Sequence, residues 1–560
     1  MNIIQLIRQE VKDSYAFMAL LIFIIGIANS LLINTINSAA ASIADPDVLL
    51  KDLYFILYVS CIVTFLATRK YVLNKSCFIM ETVINQVRKR LANKIRLAEL
   101  STLENIGPAA LYTCITQETL YISTVSPGMM GISQSLFTVV FMLLYLGFLS
   151  PYSFLLAITG ILIGVYLYTR DFDAYSQNWK QMTDKERKFF DKFSNILDGF
   201  KEIRINRQKN EDVYESYTKV NDEKLVVRLQ AAELFNKNMI IAQLSFYSIF
   251  GAIIFILPSF HPEHTEIIIK VVATVLFIIG PLESILNFIP IFSNADSAAE
   301  NILDLEARLD KELVHSQSTL ALTNKITPTQ TAKFTNTMTL ENITYQYDSD
   351  DPAYVFKIGP INLTFQKGEI IFVTGGNGSG KSTFLKVLTG LYMAQGGNIY
   401  LDRDIYKNKN GTSINLSNHQ QYRNLYTTIF TDYHLFDKLY GLHDIDDAVV
   451  KQLLTDMELP EEKTTYKDGA FTNIRLSSGQ KKRLALVNSI LEDKDIYIYD
   501  EVAADLDPWF REVYYHKILS MLKSLNKTVF VVSHDKGFWQ VADRILWMEK
   551  GQMMEVDKSK

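Results

Sequence analysis

Apolar and polar positions are unevenly distributed along the chain. Residues 15–36 read YAFMALLIFIIGIANSLLINTI without a charge, and further apolar runs fall near 53–68, 129–149, 152–169, 239–258 and 267–289. A helix needs about 20 apolar residues to cross the hydrocarbon core of a bilayer. The first, third and fifth runs meet this outright; the second and fourth are shorter and interrupted, and the sixth carries Lys270 and Glu283. Six such runs confined to the first 290 residues predict six transmembrane helices rather than six buried core helices. No such run follows residue 300, so the C-terminal half is expected to be a soluble domain. The first run follows Arg8 and Lys12, but its 22 residues exceed the roughly 7–15 of a signal peptide's apolar region, so an uncleaved first helix is expected.

The short connections at 37–52, 150–151 and 259–265 hold a single basic residue, Lys51, whereas 69–126 and 170–237 are rich in Lys and Arg. Basic loops stay cytoplasmic. The expectation is a multi-pass protein of the bacterial inner membrane whose N-terminus, two long segments and C-terminal half are all cytoplasmic. Each long segment has a helical pattern, with breaks near Gly107-Pro108 and Gly199 that allow short helices at the tips. Residues 291–313 continue the sixth helix, and the Ser-, Thr- and Asn-rich stretch after them reads as a linker. The expected division is a membrane domain over 1–313, a linker over 314–335 and a soluble domain over 336–560. Asn29, Asn34, Gln134, Gln243, Glu283 and Asn287 are polar positions within the spans. A membrane carboxylate faces protein or water. Glu283 lies about 24 Å along its helix from Ile267, and a cavity-lining and an interhelical role both stay open for it.

Composition narrows the function classes. Lys+Arg number 56 and Asp+Glu 61, a net charge of −5 that lacks the basic excess of a nucleic-acid binder. Mean hydropathy is +0.07, high for a soluble protein. Three cysteines exclude a disulfide framework, and no Cys/His spacing suits a zinc site.

The chemistry lies in the C-terminal half. Residues 375–383, GGNGSGKST, follow the strand-like EIIFVT and precede the helix-like FLKVLTGLY. This is a phosphate-binding loop in its strand–loop–helix context: Gly375, Asn377, Gly378, Ser379, Gly380 and Thr383 form the cradle, Lys381 reaches the β- and γ-phosphates, and Ser382 ligates Mg2+. The run DIYIYDE (495–501) is a buried-strand pattern ending in Asp500, placed to hold the metal, and Glu501, placed to act as general base on water. LSSGQ (476–480) opens a helix, and Ser477, Gly479 and Gln480 form a second anion-binding helix terminus. Gly479 lies 21 residues before Asp500. Together these motifs predict NTP hydrolysis.

The set resembles the ATP-binding cassette family, and the resemblance covers the whole chain. It implies a helical, type IV exporter-like membrane domain followed by an α/β P-loop NTPase cassette, with ATP and Mg2+ as ligands. It also implies roles for further residues. Tyr347, in TYQYD, matches the aromatic that stacks on adenine, with Tyr345 as competitor. His534, in VFVVSHD, matches the switch histidine at the γ-phosphate and joins Glu501 and Lys381 as the catalytic set. Asp507, in ADLDP, matches the loop between two ATP sites. Three departures stand out: Ser478 replaces a glycine of the usual LSGGQ, Thr431 stands where a metal-sensing glutamine is usual (with Asp432 beside it), and VAADLDP follows Glu501 where ATSALD is commoner. The strings IFTDYHLFD, LSSGQKKRLAL, YDEVAADLDP and LDGFKEIRINR resemble exporters of cyclic peptides and peptide siderophores. In this family ATP is sandwiched between the phosphate loop of one cassette and the signature of another. One chain carries one of each, so the resemblance implies a homodimer with twelve membrane helices, embedded in the lipid bilayer, binding no nucleic acid and carrying a small peptide or peptide-derived substrate by alternating access. A lipid or lipid-linked-sugar flippase, an importer of iron chelates on the same scaffold, and an ATP-gated regulatory subunit are the alternatives.

Overall fold

The computed structural model describes residues 2–10, 15–41, 48–170, 172–256, 268–323, 334–347, 356–402, 412–414, 419–443 and 445–557. By its contacts the chain divides into two units, 1–92 with 109–306, and 93–108 with 307–560.

The first unit is helical. It opens with α1 (Asn2–Glu10), whose Ile3, Leu6 and Ile7 recur at three- and four-residue spacing and are buried along one face. The Ile3 N–H donates to Asp296 Oδ1 at 3.0 Å. The apolar runs then form α2 (Tyr15–Ala41), α3 (Val48–Leu97), α6 (Thr119–Leu149), α7 (Pro151–Thr169), α10 (Arg207–Gly251) and α11 (Ile268–Thr323). Among the described residues five helices are long and apolar enough to cross a membrane, and the first run contributes a shorter apolar stretch, Leu20–Ile36. The helices α3, α10 and α11 are 50, 45 and 56 residues long. At 1.5 Å per residue they span about 65–85 Å, more than twice the hydrocarbon thickness. The last of them continues to Thr323, into the stretch expected to be a linker; residues 324–333 lie outside the described residues, as do the connections at 42–47 and 259–265.

Short helices stand at both expected breaks: α4 (Leu100–Ile106) and α5 (Pro108–Thr113) flank Gly107, and α9 (Phe200–Ile205) follows Gly199 after α8 (Phe172–Asp198). Three of the polar groups inside the spans, Asn29, Gln243 and Glu283, have partners on neighbouring helices. Gln243 Nε2 donates to Glu283 Oε1 at 2.9 Å, joining α10 to α11, and Asn29 Nδ2 donates to Thr138 Oγ1 at 3.3 Å, joining α2 to α6. The interhelical role is therefore filled at Glu283.

The second unit is α/β. Its main sheet has the order β12-β11-β3-β10-β9-β6, from β3 (Ile370–Gly375), β6 (Tyr426–Ile429), β9 (Ile496–Asp500), β10 (Thr528–Val532), β11 (Arg544–Glu549) and β12 (Gln552–Val556). All neighbours are parallel except β12, which pairs antiparallel at the edge. Every residue of β3, β9 and β10 is buried, as expected of central parallel strands covered on both faces. A second sheet, antiparallel in the order β2-β1-β4-β5, comprises β1 (Thr337–Gln346), β2 (Lys357–Gln366), β4 (Gly396–Leu401) and β5 (Thr412–Ser413). The consequence for function is the adjacency of β9, β10 and β3. Their carboxyl ends lie side by side, so the three loops that leave them meet in one crevice.

Candidate nucleotide-binding site

The phosphate loop leaves β3 and enters α12 (Lys381–Leu388). A Cβ at Gly375 would lie 2.2 Å from Met548 O, so only glycine lets the loop start where it does. Lys381 is buried, and its Nζ donates to the carbonyls of Gly375 at 3.1 Å and Gly376 at 3.0 Å. Asn377 and Gly378 are exposed at the turn, while Ser379 is buried and its backbone carbonyl accepts from Gly551 N–H at 2.9 Å. Gly380 caps α12 from the left-handed region. The Ser382 hydroxyl donates to Asp500 Oδ2 at 2.9 Å. Burial holds the Asp500 carboxyl above the ordinary aspartate range, opposed by the Ser382 bond. Its other oxygen, Oδ1, is buried with no hydrogen-bond partner. A buried, unpartnered carboxylate oxygen beside a hydroxyl is a donor set that fits Mg2+, a hard cation that prefers oxygen ligands.

Glu501 follows directly on β9 in the left-handed region, φ 54° and ψ 33°, which costs a non-glycine residue about 1–2 kcal/mol. Two bonds hold it there: its N–H donates to Val532 O at 3.3 Å, and its carbonyl accepts from Lys482 Nζ at 2.7 Å. The bend aims its carboxylate at His534, with Oε1 and Nε2 3.5 Å apart. Lys381, Ser382, Asp500, Glu501 and His534 therefore share one crevice.

Ser477, Gly479, Gln480 and Asp507 form a second cluster. Ser477 caps α15 (Ser478–Leu491) in a reciprocal box with Gln480: the Gln480 N–H donates to Ser477 Oγ at 3.4 Å, and the Ser477 N–H to Gln480 Oε1 at 3.3 Å. A Cβ at Gly479 would lie 2.8 Å from Asp505 O, so this helix start and the 501–507 loop touch through backbone. Asp507 caps α16 (Pro508–Glu512), accepting the Phe510 N–H at 2.9 Å, and pairs with Arg483. The Phe510 N–H, and then the Arg483 charge, hold its carboxyl below the ordinary range. Lys482 joins the two clusters. It is buried, and besides the Glu501 carbonyl it contacts Asp505 Oδ2 at 3.1 Å. Sequence reasoning misses Lys482, Arg483 and Asp505; their position, directly after LSSGQ and just before Asp507, is the signal that could find them.

Tyr347 and Tyr345 separate clearly. Tyr345 is buried and stacks on Tyr392, with centroids 4.8 Å apart and planes within 8°. Tyr347 is half-buried, and its hydroxyl lies 3.0 Å from Thr383 Oγ1 on the phosphate-loop helix. Tyr392 in turn donates to Glu104 Oε2 of α4 at 2.5 Å, and Lys386 of α12 reaches Glu104 Oε1 at 3.0 Å. Glu99, next to α4, pairs with Arg423. No local pattern marks Glu104, which lies 288 residues from Tyr392.

Next to that pair sits His419. Burial, and then the Arg423 charge, lower its pKa to about 4. An unfolded histidine titrates near 6.5. The folded state therefore holds fewer protons between these values; the stability is present above pH ~6.5 and is lost as pH falls towards 4. We expect the melting temperature to drop between pH 7 and pH 5, and by less in His419→Phe, as read by thermal denaturation in matched buffers. Thr431 and Asp432 are exposed after β6. Thr431→Gln should leave ATP hydrolysis within about tenfold of the parent, or 1.4 kcal/mol of barrier; a phosphate-release assay checks it.

The ABC transporter family model matches residues 358–504. The arginine transport ATP-binding protein ArtM of Bacillus subtilis (strain 168) is 34% identical over 206 residues, 35% of this chain and 82% of that protein. The chain is an ABC transporter. This transporter carries its apolar helices and its cassette in one polypeptide, and the likeness extends through both. The ATP-binding protein SyrD of Pseudomonas syringae pv. syringae is 28% identical over 482 residues, 84% of this chain and 82% of that one. The solved structure of a bacterial Atm1-family ABC exporter with ATP bound superposes with a TM-score of 0.77 at 14% identity, covering 97% of this chain and 94% of the other. The transporter is thus a membrane protein with the exporter fold, and ATP binding and hydrolysis at its cassette are coupled to transport.

Proposed function

We propose that two copies of this ABC transporter form a homodimer that exports a peptide or peptide-derived small molecule from the cytoplasm. The supporting observation is the division of site residues into two clusters within one chain. Lys381, Ser382, Asp500, Glu501 and His534 make a phosphate and hydrolysis site, while Ser477, Gly479 and Gln480 open α15 and Asp507, paired with Arg483 of that helix, caps α16. A two-fold axis brings each cluster against the other's partner and completes two ATP sites.

In each site Tyr347 stacks on adenine. Lys381 gives up the carbonyls of Gly375 and Gly376 for the β- and γ-phosphates. Ser382 and Asp500 would hold Mg2+, which supplies charge neutralisation at the phosphates. Glu501 accepts a proton from water as the water oxygen bonds to the γ-phosphorus. The bond from that phosphorus to the β–γ bridging oxygen breaks, and ADP and phosphate leave. His534 holds the γ-phosphate and lies within reach of Glu501. Closure of the two cassettes on ATP favours the outward-open state, and product release restores the inward-open one. The domain division is 1–313, 314–335 and 336–560, with both termini cytoplasmic and the membrane the bacterial inner one. The peptide class of cargo rests on the four strings that resemble peptide exporters.

The test is untargeted mass spectrometry of cytosol, membranes and medium from cells expressing the parent or Glu501→Gln. A peptide-like compound that accumulates inside the variant and is absent from its medium supports export. A compound left outside would indicate import, and a change confined to membranes a flippase.

A further inference from the structure

We propose that Tyr515 is a positioning residue for His534, acting through a closed ring of hydrogen bonds around the histidine loop. This rests on the role given to His534 above.

Tyr515 lies in a single π-helical turn, Val513–Ile518, that continues α16. Such single turns inside α-helices are rare and are frequent at functional sites. Its side chain is fully buried, with the ring stacked on Phe538 at 4.2 Å and 14° and packed near Phe372 of β3 at 5.9 Å. The phenol emerges between the two neighbours of His534. Its oxygen lies 2.6 Å from Ser533 Oγ and donates to Asp535 Oδ2 at 3.1 Å. The Asp535 N–H donates to Ser533 Oγ at 3.0 Å.

These contacts use each group once. The Asp535 amide donates to the Ser533 hydroxyl, the hydroxyl to the phenol oxygen, and the phenol to the Asp535 carboxylate. The second carboxylate oxygen stands 3.8 Å from Arg511 Nη1 on α16. Residues 533 and 535 are thereby fixed from one side by a single buried group, and His534 projects between them, half-exposed, 3.5 Å from Glu501. Chains of hydrogen bonds in a buried setting polarise and stiffen one another. Burial pushes the Tyr515 phenol well above the usual tyrosine range, so it stays a donor. Phenylalanine at 515 keeps the ring stack and removes the single oxygen that closes the circuit. The histidine loop then gains freedom without losing its packing.

The experiment is steady-state ATP hydrolysis by the full-length protein in lipid nanodiscs. We expect Tyr515→Phe to lower kcat about tenfold with the KM for ATP within twofold. In a His534→Ala background the same change should cost less than twofold, because a group acting through His534 has nothing left to position. Equal losses in both backgrounds, or a Tyr515→Phe kcat within twofold of the parent, would overturn the inference. If Tyr515→Phe does not fold, Ser533→Ala opens the same ring from the other side and is read in the same two backgrounds. A His534→Ala protein with the parent's kcat would remove the role assigned to His534 itself and the inference with it; in the other failures that role stands.

Discussion

Glu501→Gln should reduce steady-state ATP hydrolysis by about 100-fold or more while ATP binding persists. A positioned general base contributes roughly 10²–10⁴ in rate. Glutamine keeps the length and shape of glutamate but cannot take a proton from water. The structure makes the substitution clean. Glu501 is held in its left-handed conformation by bonds from its backbone, to Val532 O and from Lys482 Nζ, and neither uses the carboxylate. The side chain is half-exposed, so no buried charge is stranded by its loss. Phosphate release measures the first half of the expectation and fluorescent-nucleotide binding the second. Turnover within threefold of the parent would sink the assignment, because the neighbouring carboxylates are already engaged, Asp500 with Ser382, Asp505 with Lys482 and Asp507 with Arg483.

What was legible in the sequence follows from the range of the forces involved. The strands that carry the site announced themselves, because EIIFVT, DIYIYD and TVFVV are continuous apolar runs that only a strand buried on both faces accommodates. That β10 separates β9 from β3, and so sets His534 across from Glu501, is a fact of topology that no local pattern carries. The same holds for α1. Ile3, Leu6 and Ile7 mark its apolar face, but the partner that fixes it, Asp296, lies 293 residues on. Tyr347 is reached through the family resemblance alone, with Tyr345 as competitor, and the chain Tyr345–Tyr392–Glu104 carries no local signal, because Glu104 belongs to α4. The signature reads as a helix start. Its serine and glutamine turn out to cap one another, which the spacing Ser-x-x-Gln itself encodes.

Lys381→Met should remove most of the thermal stabilisation that ATP confers while leaving the nucleotide-free protein close to the parent in stability. The buried Lys381 ammonium rests on two neutral carbonyls, those of Gly375 and Gly376. Methionine fills the same channel without a charge to desolvate, so the two lost bonds, worth about 1 kcal/mol each, are offset by relief of that desolvation. With ATP the account differs. The ammonium exchanges neutral acceptors for phosphate oxygens, and each charge-assisted bond contributes about 1.5–3 kcal/mol. After allowing for the carbonyl bonds given up, about 3 kcal/mol of binding is at stake, or a Kd raised roughly 100-fold. At an ATP concentration 100 times the parent's Kd, ligand linkage contributes about 2.7 kcal/mol of stability, most of which the variant forfeits. Melting curves with and without ATP separate the two effects. An ATP-induced shift equal to the parent's would remove Lys381 from the phosphate site. A nucleotide-free protein that melts far below the parent would make the lysine a clamp for its own loop, its two carbonyl bonds outweighing the charge they carry.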